Sequence, residues 1–511
     1  MSVVSSNNKR IAKNTIFLYF RMLLMMVVSL YTSRVVLNTL GITDYGVHNV
    51  VGGLVSMFSL ISGSMNTTIS RFLTFELGRE DTERLRIVFS TSVNIQLGIA
   101  IAIVLLAEVA GLWFLNFKMV IPEGRMVAAN WVFQCSLLSF CVNIVSVPYN
   151  AVIIAHEKMD AYAYFGIIEA LLKLLIVFLL PYSSWDKLIY YAILLLAVSL
   201  IMRFSYGWYC NRNFKESKYY FVFEKSVLKE MGSFAGWNYL GAIAAILRTQ
   251  GLSLLLNLYF GVAVNAARGV TAQVEAAVTQ FVANFTMALN PQITKSFARE
   301  DRGYMHLLVC YGAKYSFFMM LILIIPLIIE APIILKLWLK IVPDFAVIFL
   351  RITLIVVLLD TLSDTLTMSM QASGNIKLFK IIVSSIVLMV FPVSYLLFEM
   401  GFPPYSCYIV CAIAMVLKLV AELPLLKKMV GLPPTLYISV VLKRALLVSV
   451  LLFSLPLAIA YYFEDSTFRF IFVTAVSLLW SVPVIFFAGL SISERKSLLS
   501  KAKSMFSKKQ N

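Results

Sequence analysis

Long apolar segments separated by short polar ones make up most of the chain. The first, residues 14–39, contains only Arg21 and Arg34 as charged residues. Because about 20 consecutive apolar residues are enough to cross the hydrocarbon core of a bilayer, each long segment is predicted to be a transmembrane helix. The pattern predicts fourteen such helices, near 14–39, 46–68, 88–115, 127–154, 162–181, 187–210, 233–258, 264–288, 307–330, 344–369, 377–399, 404–425, 442–462 and 467–490. The eighth is rich in Ala, Thr and Gln, which favours a helix that faces protein or water rather than lipid.

Short stretches of sequence recur at a constant spacing. Gly41 ends the first predicted helix, and Gly261 ends the seventh. The tripeptide Arg-Glu-Asp that begins at Arg79 recurs at Arg299, and its two copies are separated by the same offset as the two glycines. Several matches at one offset indicate an internal repeat rather than chance.

The repeat continues through the second half of each unit, because the predicted loops 155–161 and 372–378 are separated by nearly the same offset. Six helices per repeat is an even number, so the two halves enter the membrane in the same orientation and form two parallel lobes. A cleft between two such lobes is where transporters place their substrate. The predicted division is an N-lobe (1–210), a cytoplasmic linker (211–232), a C-lobe (233–426), helices thirteen and fourteen (427–490) and a basic tail (491–511).

Composition and charge agree with an all-α integral membrane protein. Of the 511 residues, 60% are apolar and 14% are charged, whereas a typical soluble domain has about 25% charged residues. The net charge of +17 does not indicate nucleic acid, because 28 of the 43 Lys and Arg residues fall in alternate loops and the tails, against 7 in the other loops. This asymmetry predicts that both termini are cytoplasmic and that the basic loops contact anionic lipid.

Arginines inside the predicted helices are the first candidates for a binding site. An ionisable group in the bilayer costs about 2.5–3.5 kcal/mol on insertion scales, so such groups usually face a cavity or a partner. Arg34 and Arg248 lie on helices one and seven, which are repeat counterparts, and Arg268 lies on helix eight near Glu275. Guanidinium groups grip phosphate well, so these three arginines are predicted to line the cavity. The alternative is pairing with a carboxylate or reaching toward the interface.

Carboxylates on helix ten are the second group of candidates. Asp360, Asp364 and Thr367 are spaced i, i+4, i+7 and therefore share one face of the helix. In the first repeat, two positions of this stripe correspond to Asn143 and Asn150 on helix four. Asp360 and Asp364 are therefore candidates for coupling transport to a proton or another cation.

The alternative for the helix-ten carboxylates is a structural ion pair with Lys418 or Arg351. Two further pairs, Glu169 with Lys173 and Lys418 with Glu422, are four residues apart on their helices and are expected to be structural.

The segment 69–87 is predicted to be a charged, amphipathic cytoplasmic link between helices two and three. The chain contains no phosphate-binding loop, catalytic motif or metal-ligand spacing. No cofactor or metal is therefore expected, and energy for transport would come from a gradient or the membrane potential.

Three short motifs resemble those of the polysaccharide-type flippases, which include the O-antigen and oligosaccharide flippases. They are the turn Leu40-Gly41-Ile42-Thr43-Asp44-Tyr45-Gly46, Arg71 after helix two, and Asn290-Pro291-Gln292-Ile293 after helix eight. These flippases belong to the multidrug/oligosaccharidyl-lipid/polysaccharide exporter superfamily, whose members have two six-helix lobes, often followed by two extra helices. The turn after helix seven, 260–265, lacks the Tyr-Gly pair, so this motif is present in one repeat only.

The resemblance implies a transporter, not an enzyme, that moves a polyprenyl-diphosphate-linked oligosaccharide to the outer leaflet of a bacterial inner membrane by alternating access. It also implies a role in surface polysaccharide or O-antigen synthesis beside a polysaccharide polymerase and glycosyltransferases. Three alternatives remain: a cation-coupled multidrug exporter, a lipid II flippase, and a membrane-embedded glycosyltransferase or scaffold. An exporter of cations would favour an acidic cavity, whereas an enzyme should carry an acidic motif in a loop.

Overall fold

A computed structural model describes residues 2–56, 58–117, 119, 121, 124–339 and 342–496. Within these residues the chain is almost entirely helical and contains no β-strand. The predicted all-α fold class is therefore confirmed.

Fourteen long helices, numbered here α1 to α14, follow one another along the described residues. They are α1 (2–40), α2 (42–56 and Ser59–Arg79), α3 (Thr82–Phe117), α4 (Met126–Ala155), α5 (Met159–Tyr182), α6 (Lys187–Asn213), α7 (Lys225–Gly261), α8 (262–298), α9 (Arg302–Ile329), α10 (Ala346–Ala372), α11 (Lys377–Glu399), α12 (Ser406–Val430), α13 (Pro434–Tyr462) and α14 (Thr467–Gly489). A short helix, Ala331–Leu339, lies between α9 and α10. In the described part of the chain, 11 of these helices are long and apolar enough to cross a membrane.

The three helices outside that apolar set are α1, α2 and α8. The Ser59–Arg79 part of α2 is rich in Ser and Thr, and α8 is rich in Ala, Thr and Gln. Since α2 and α8 are counterparts in the repeat, both halves of the chain carry a polar helix at the same place.

The repeat is visible in the backbone. Gly41 separates α1 from α2 with φ 79° and ψ 168°, and Gly261 separates α7 from α8 with φ 79° and ψ −176°. This region of φ and ψ is accessible essentially to glycine alone, which explains why glycine stands at both positions. Gly46, the second glycine of the turn motif, lies inside α2 without a positive φ, so within this motif only Gly41 has the conformation that favours glycine.

Two further pairs of turns share an unusual conformation. Glu80 and Glu300, the central residues of the two Arg-Glu-Asp tripeptides, are left-handed with φ of 62° and 61°. Glu157 and Gly374, which occupy matching positions in the two repeated loops, have φ of 58° and 81°. Both pairs follow the offsets found in the sequence, so the repeat extends to single backbone conformations.

The predicted link 69–87 is helical almost throughout, so helices two and three are longer than the sequence predicted. α2 continues to Arg79 and α3 begins at Thr82. Asp81 caps α3 by accepting a 2.9 Å hydrogen bond from the backbone N–H of Arg84. The capping residue starts the next helix at once, and the residues around it, 79–83, are exposed.

The chain forms two compact units. Unit 1 comprises Met1–Ala242 and Ala288–Asp301, and unit 2 comprises Ile243–Met287 and Arg302–Asn511. The core of unit 1 contains buried side chains of α2, α3, α4 and α6, with Phe133 of α4 only 1% exposed. The core of unit 2 contains buried side chains from α7 to α12 and the short helix, with Phe349 of α10 fully buried. The lobe limits drawn from the sequence divide the chain by helix number and stay a prediction.

Ion pairs attach the last two helices to unit 2. Arg469 of α14 donates to both carboxylate oxygens of Glu330, at 3.1 and 3.0 Å, and Glu330 is fully buried. Nearer the start of α9, the fully buried Lys314 donates a 2.5 Å hydrogen bond to Glu494, which follows α14. Paired buried charges are costly to separate, so α13 and α14 are integral parts of unit 2.

Candidate functional site

The α10 stripe faces α12 within unit 2. The ammonium of Lys418 on α12 lies 2.6 Å from a carboxylate oxygen of Asp360, and the two side chains are 12% and 35% exposed. Asp364, one turn further along α10, has Lys418 and Glu422 as electrostatic neighbours. Thr367 donates a 3.2 Å hydrogen bond to Glu422, which is fully buried.

The arrangement contains both alternatives that the sequence left open. Asp360 has the lysine partner expected of a structural pair, while Asp364 and Glu422 add two more carboxylates to the same cluster. Arg351 contacts neither aspartate, because it donates to the backbone carbonyls of Ile328 and Ile329. Ion coupling by Asp360 and Asp364 stays a prediction.

Two of the three candidate arginines line one small cavity in unit 2. Arg248 lies in the π-helical stretch Leu247–Gly251 of α7, and Arg268 lies on α8. Arg268 is 7% exposed, forms a 3.3 Å ion pair with Glu275 and lies 5.8 Å from the centre of the Tyr408 ring. The cavity has a volume of about 20 Å³, which is room for about one water molecule.

The third candidate, Arg34, has a side chain that lies outside the part of the chain described. The cavity role predicted for Arg34, Arg248 and Arg268 therefore stays a prediction. The structure adds that Arg248 and Arg268 share a cavity and that Arg268 has a carboxylate partner.

A much larger cavity lies inside unit 1. Its volume is about 700 Å³, and residues of α2, α4, α5 and α6 line it. The polar residues of the lining along α4 are Ser136, Ser139, Asn143, Ser146 and Asn150. Their spacing of three and four residues places all five on one face of the helix, so a continuous polar stripe of hydroxyl and amide groups faces the cavity.

Sequence reasoning missed this cavity, although its signal was present. In the sequence, Asn143 and Asn150 were noted only as the repeat counterparts of residues in the α10 stripe. The serines at 136, 139 and 146 on the same helix face were not considered. Serine is common in membrane helices, where its hydroxyl bonds the backbone one turn earlier, as Ser146 bonds Val142 at 2.8 Å. The informative feature is the alternation of three- and four-residue steps over four turns.

The cavity also contains one ion pair. Lys173 donates a 2.6 Å hydrogen bond to Glu169, four residues earlier on α5, and both side chains belong to the lining. The expected ion pair is therefore present, and the α5 residues of the lining carry no net charge.

Two polar atoms of the lining have no hydrogen-bond partner among the described residues. They are Oδ1 of Asn150 and Nδ1 of His48, and both are buried. A buried polar atom without a partner costs about 1–3 kcal/mol. Because both atoms are buried, a bound molecule reaches them only if their side chains rotate toward the cavity.

The Asn290-Pro291-Gln292-Ile293 motif has a structural role in unit 1. Gln292 and Lys295 donate hydrogen bonds of 2.5 and 2.7 Å to the two carboxylate oxygens of Glu157. The backbone carbonyl of Glu157 accepts a third, 3.2 Å hydrogen bond from Asn14. The turn between α4 and α5 thereby anchors the end of α8 and the start of α1.

The fold is similar to that of several solved transporters. One is a multidrug resistance MATE family transporter of the MOP superfamily in an outward-facing conformation, with a TM-score of 0.72, 12% identity, and coverage of 83% of this chain and 96% of that one. Another is the MATE transporter ClbM in complex with Rb⁺, with a TM-score of 0.68, 17% identity, and coverage of 84% and 96%. A third is a MOP superfamily transporter from Pyrococcus furiosus Vc1, for which a reversed polarity of the binding pocket suggests a different function; its TM-score is 0.68, its identity 13%, and its coverage 83% and 96%.

These likenesses define the fold. The protein is a multi-pass, all-helical membrane protein with the two-lobed fold of MATE transporters in the MOP superfamily. No family model matches the sequence, and no curated protein matches it. The polysaccharide-type subfamily indicated by the sequence motifs therefore stays a prediction.

Proposed function

We propose that the protein is a flippase that carries a polyprenyl-diphosphate-linked oligosaccharide from the cytoplasmic to the outer leaflet of a bacterial inner membrane. The observation that carries the proposal is charge compensation. The carboxylate that lines the unit 1 cavity, Glu169, is paired with Lys173, and the carboxylate that lines the small unit 2 cavity, Glu275, is paired with Arg268. A site for a lipophilic cation needs a negative charge without a partner, whereas a neutral, hydroxyl-rich cargo needs donors and acceptors.

The diphosphate of such a cargo requires cationic partners. Arg248 and Arg268 can supply them, because guanidinium binds phosphate oxygens through two hydrogen bonds. Their cavity of about 20 Å³ is too small for a diphosphate. The proposal therefore places the phosphate contact in another conformation of the transport cycle, in which Arg268 exchanges Glu275 for the substrate.

The test is a lipid extraction from a deletion strain, followed by mass spectrometry of polyprenyl-linked saccharides. We expect one such saccharide to accumulate, to be inaccessible from outside in intact spheroplasts, and to disappear on complementation. Complementation with Arg248→Ala should fail at unchanged protein abundance. Arg212→Ala is the matched control, because Arg212 is an exposed arginine at the end of α6, beside Trp208. Absence of any accumulated saccharide would contradict the proposal.

A second candidate function is cation-coupled export of drugs. It is favoured by the carboxyl groups of unit 2, since Asp364 and Glu422 lie in the same cluster as the Asp360–Lys418 pair. In that case the deletion strain would become sensitive to cationic drugs and would accumulate no lipid-linked saccharide.

We also propose that Asp364 couples transport to an ion gradient. In reconstituted vesicles Asp364→Asn should remove the dependence of transport on the gradient. Unaltered gradient dependence in this variant would refute the coupling role of Asp364, and it would leave the proposed cargo unaffected.

A further inference from the structure

The cavity of unit 1 has the size and chemistry of a ligand site. Its volume of about 700 Å³ falls within the range of about 300–1,000 Å³ typical of small-molecule pockets. Its lining contains no carboxylate or ammonium without a partner in the described residues, because Glu169 and Lys173 neutralise each other.

The polar groups of the lining both donate and accept hydrogen bonds. A serine hydroxyl and an asparagine amide each offer a donor and an acceptor. Five such residues follow one face of α4, and of these the Ser146 hydroxyl donates to the Val142 carbonyl and keeps only its acceptor capacity for a ligand. Sugar hydroxyls also donate and accept, so they match this face group by group. A diphosphate diester, whose ionised oxygens accept but do not donate, and an organic cation, which carries no acceptor at its charge, match it poorly.

Ring faces complete the lining. Phe140 on α4 and Tyr206 on α6 both border the cavity. The C–H face of a pyranose packs against an aromatic ring, while its hydroxyls remain available to the polar stripe. Asn150 Oδ1 and His48 Nδ1 are buried and without a partner among the described residues, so a rotation of either side chain toward the cavity would present one more group to a sugar hydroxyl.

We propose that this cavity binds the saccharide headgroup of the transported lipid, while the diphosphate and the lipid tail bind elsewhere. The inference rests on the proposed function, and it assigns the sugar to unit 1. Asn143 and Asn150 are the positions from which the headgroup is recognised.

The test measures binding of two lipids to the full-length protein in nanodiscs. One is the polyprenyl-diphosphate-linked saccharide that accumulates in the deletion strain, and the other is the polyprenyl diphosphate without sugar. Asn143→Leu is the first variant, because Asn143 is exposed and its replacement leaves the packing of α4 intact. Asn150→Leu is the second, and Asn130→Leu is the control, because Asn130 lies on α4 outside the cavity and bonds Asn116.

We expect Asn143→Leu and Asn150→Leu each to weaken binding of the saccharide lipid by about three- to tenfold, the value of one hydrogen bond. The control should bind it like the unmodified protein, and all variants should bind the sugar-free lipid equally. Unchanged binding of the saccharide lipid in both cavity variants would overturn this inference and leave the proposed function standing. If the protein instead binds ethidium, and does not bind the saccharide lipid, both proposals fall.

Discussion

The glycine between α1 and α2 allows a quantitative test of how the fold depends on one backbone conformation. Gly41 has φ 79° and ψ 168°, a region that costs about 1–3 kcal/mol for a residue with a side chain. A Cβ atom added to Gly41 would meet no other atom within 4 Å. The cost of Gly41→Ala should therefore be the backbone strain alone, about 1–3 kcal/mol.

Gly46 provides the matched control in the same turn motif. An added Cβ would again meet nothing within 4 Å, but Gly46 lies inside α2 without a positive φ. Alanine is favoured over glycine in a helix by about 0.5–1 kcal/mol. Gly46→Ala should therefore be neutral or slightly stabilising, so the two variants should differ in sign.

The assay is equilibrium unfolding of the purified variants in one detergent, followed by helical circular dichroism. The repeat supplies an independent second pair: Gly261 has φ 79°, whereas Gly269 lies inside α8 with the same open surroundings. Gly261→Ala should destabilise and Gly269→Ala should not. Equal stabilities of Gly41→Ala and Gly46→Ala would refute the claim that the turn depends on a conformation that only glycine adopts.

Three further predictions concern buried or partly buried charges. Arg469→Met leaves Glu330 buried without a partner and should cost about 3–5 kcal/mol in unfolding experiments, whereas adding Glu330→Gln should recover most of the loss. Burial alone would raise the pKa of Glu494, but hydrogen bonds from Lys314 and Ser491 lower it from 4.5 to about 2. The ionised Glu494 carboxylate therefore stabilises the folded protein fully above about pH 4.5, and this contribution is lost as the pH falls toward about 2. The difference in melting temperature between Glu494→Gln and the unmodified protein should narrow over that range. A constant difference would contradict the prediction. Lys418→Met removes the partner of Asp360 and should reduce the yield of folded protein, and adding Asp360→Asn in the same chain should restore it. The yield is measured by size-exclusion chromatography. Equal yields of the single and double variants would refute the claim that this ion pair stabilises the fold.

The fold could be predicted well from the sequence because the bilayer imposes a simple pattern. Apolar segments of membrane-spanning length located the helices, and Gly41 and Gly261 marked the start of the same turn in each repeat. The segment 69–87 was predicted as an amphipathic link, and its charges did not indicate that both neighbouring helices extend into it. In the structure Asp81 caps α3 and allows the helices to run almost without interruption.

The candidate sites were less predictable, because they depend on which helices pack together. Lys418 was one of two candidate partners of Asp360, and the packing of α12 on α10 decides between them. The pair between Glu330 and Arg469 joins residues that are far apart in the sequence, and no local pattern indicates it. The unit 1 cavity was detectable in principle from the spacing of polar residues on α4, but its volume depends on four helices together.

The turn at Glu157 and its counterpart at Gly374 bear on how the two halves of the chain have diverged since duplication. Both copies keep the left-handed backbone, with φ of 58° and 81°. Glycine adopts it freely, whereas glutamate at this position costs about 1–2 kcal/mol. In the first copy that cost is offset by the charged hydrogen bonds from Gln292 and Lys295, each worth about 1.5–3 kcal/mol. The two copies thus share one backbone conformation, and in the first copy the residue at this position also anchors two other helices through Gln292 and Lys295 of α8 and Asn14 of α1.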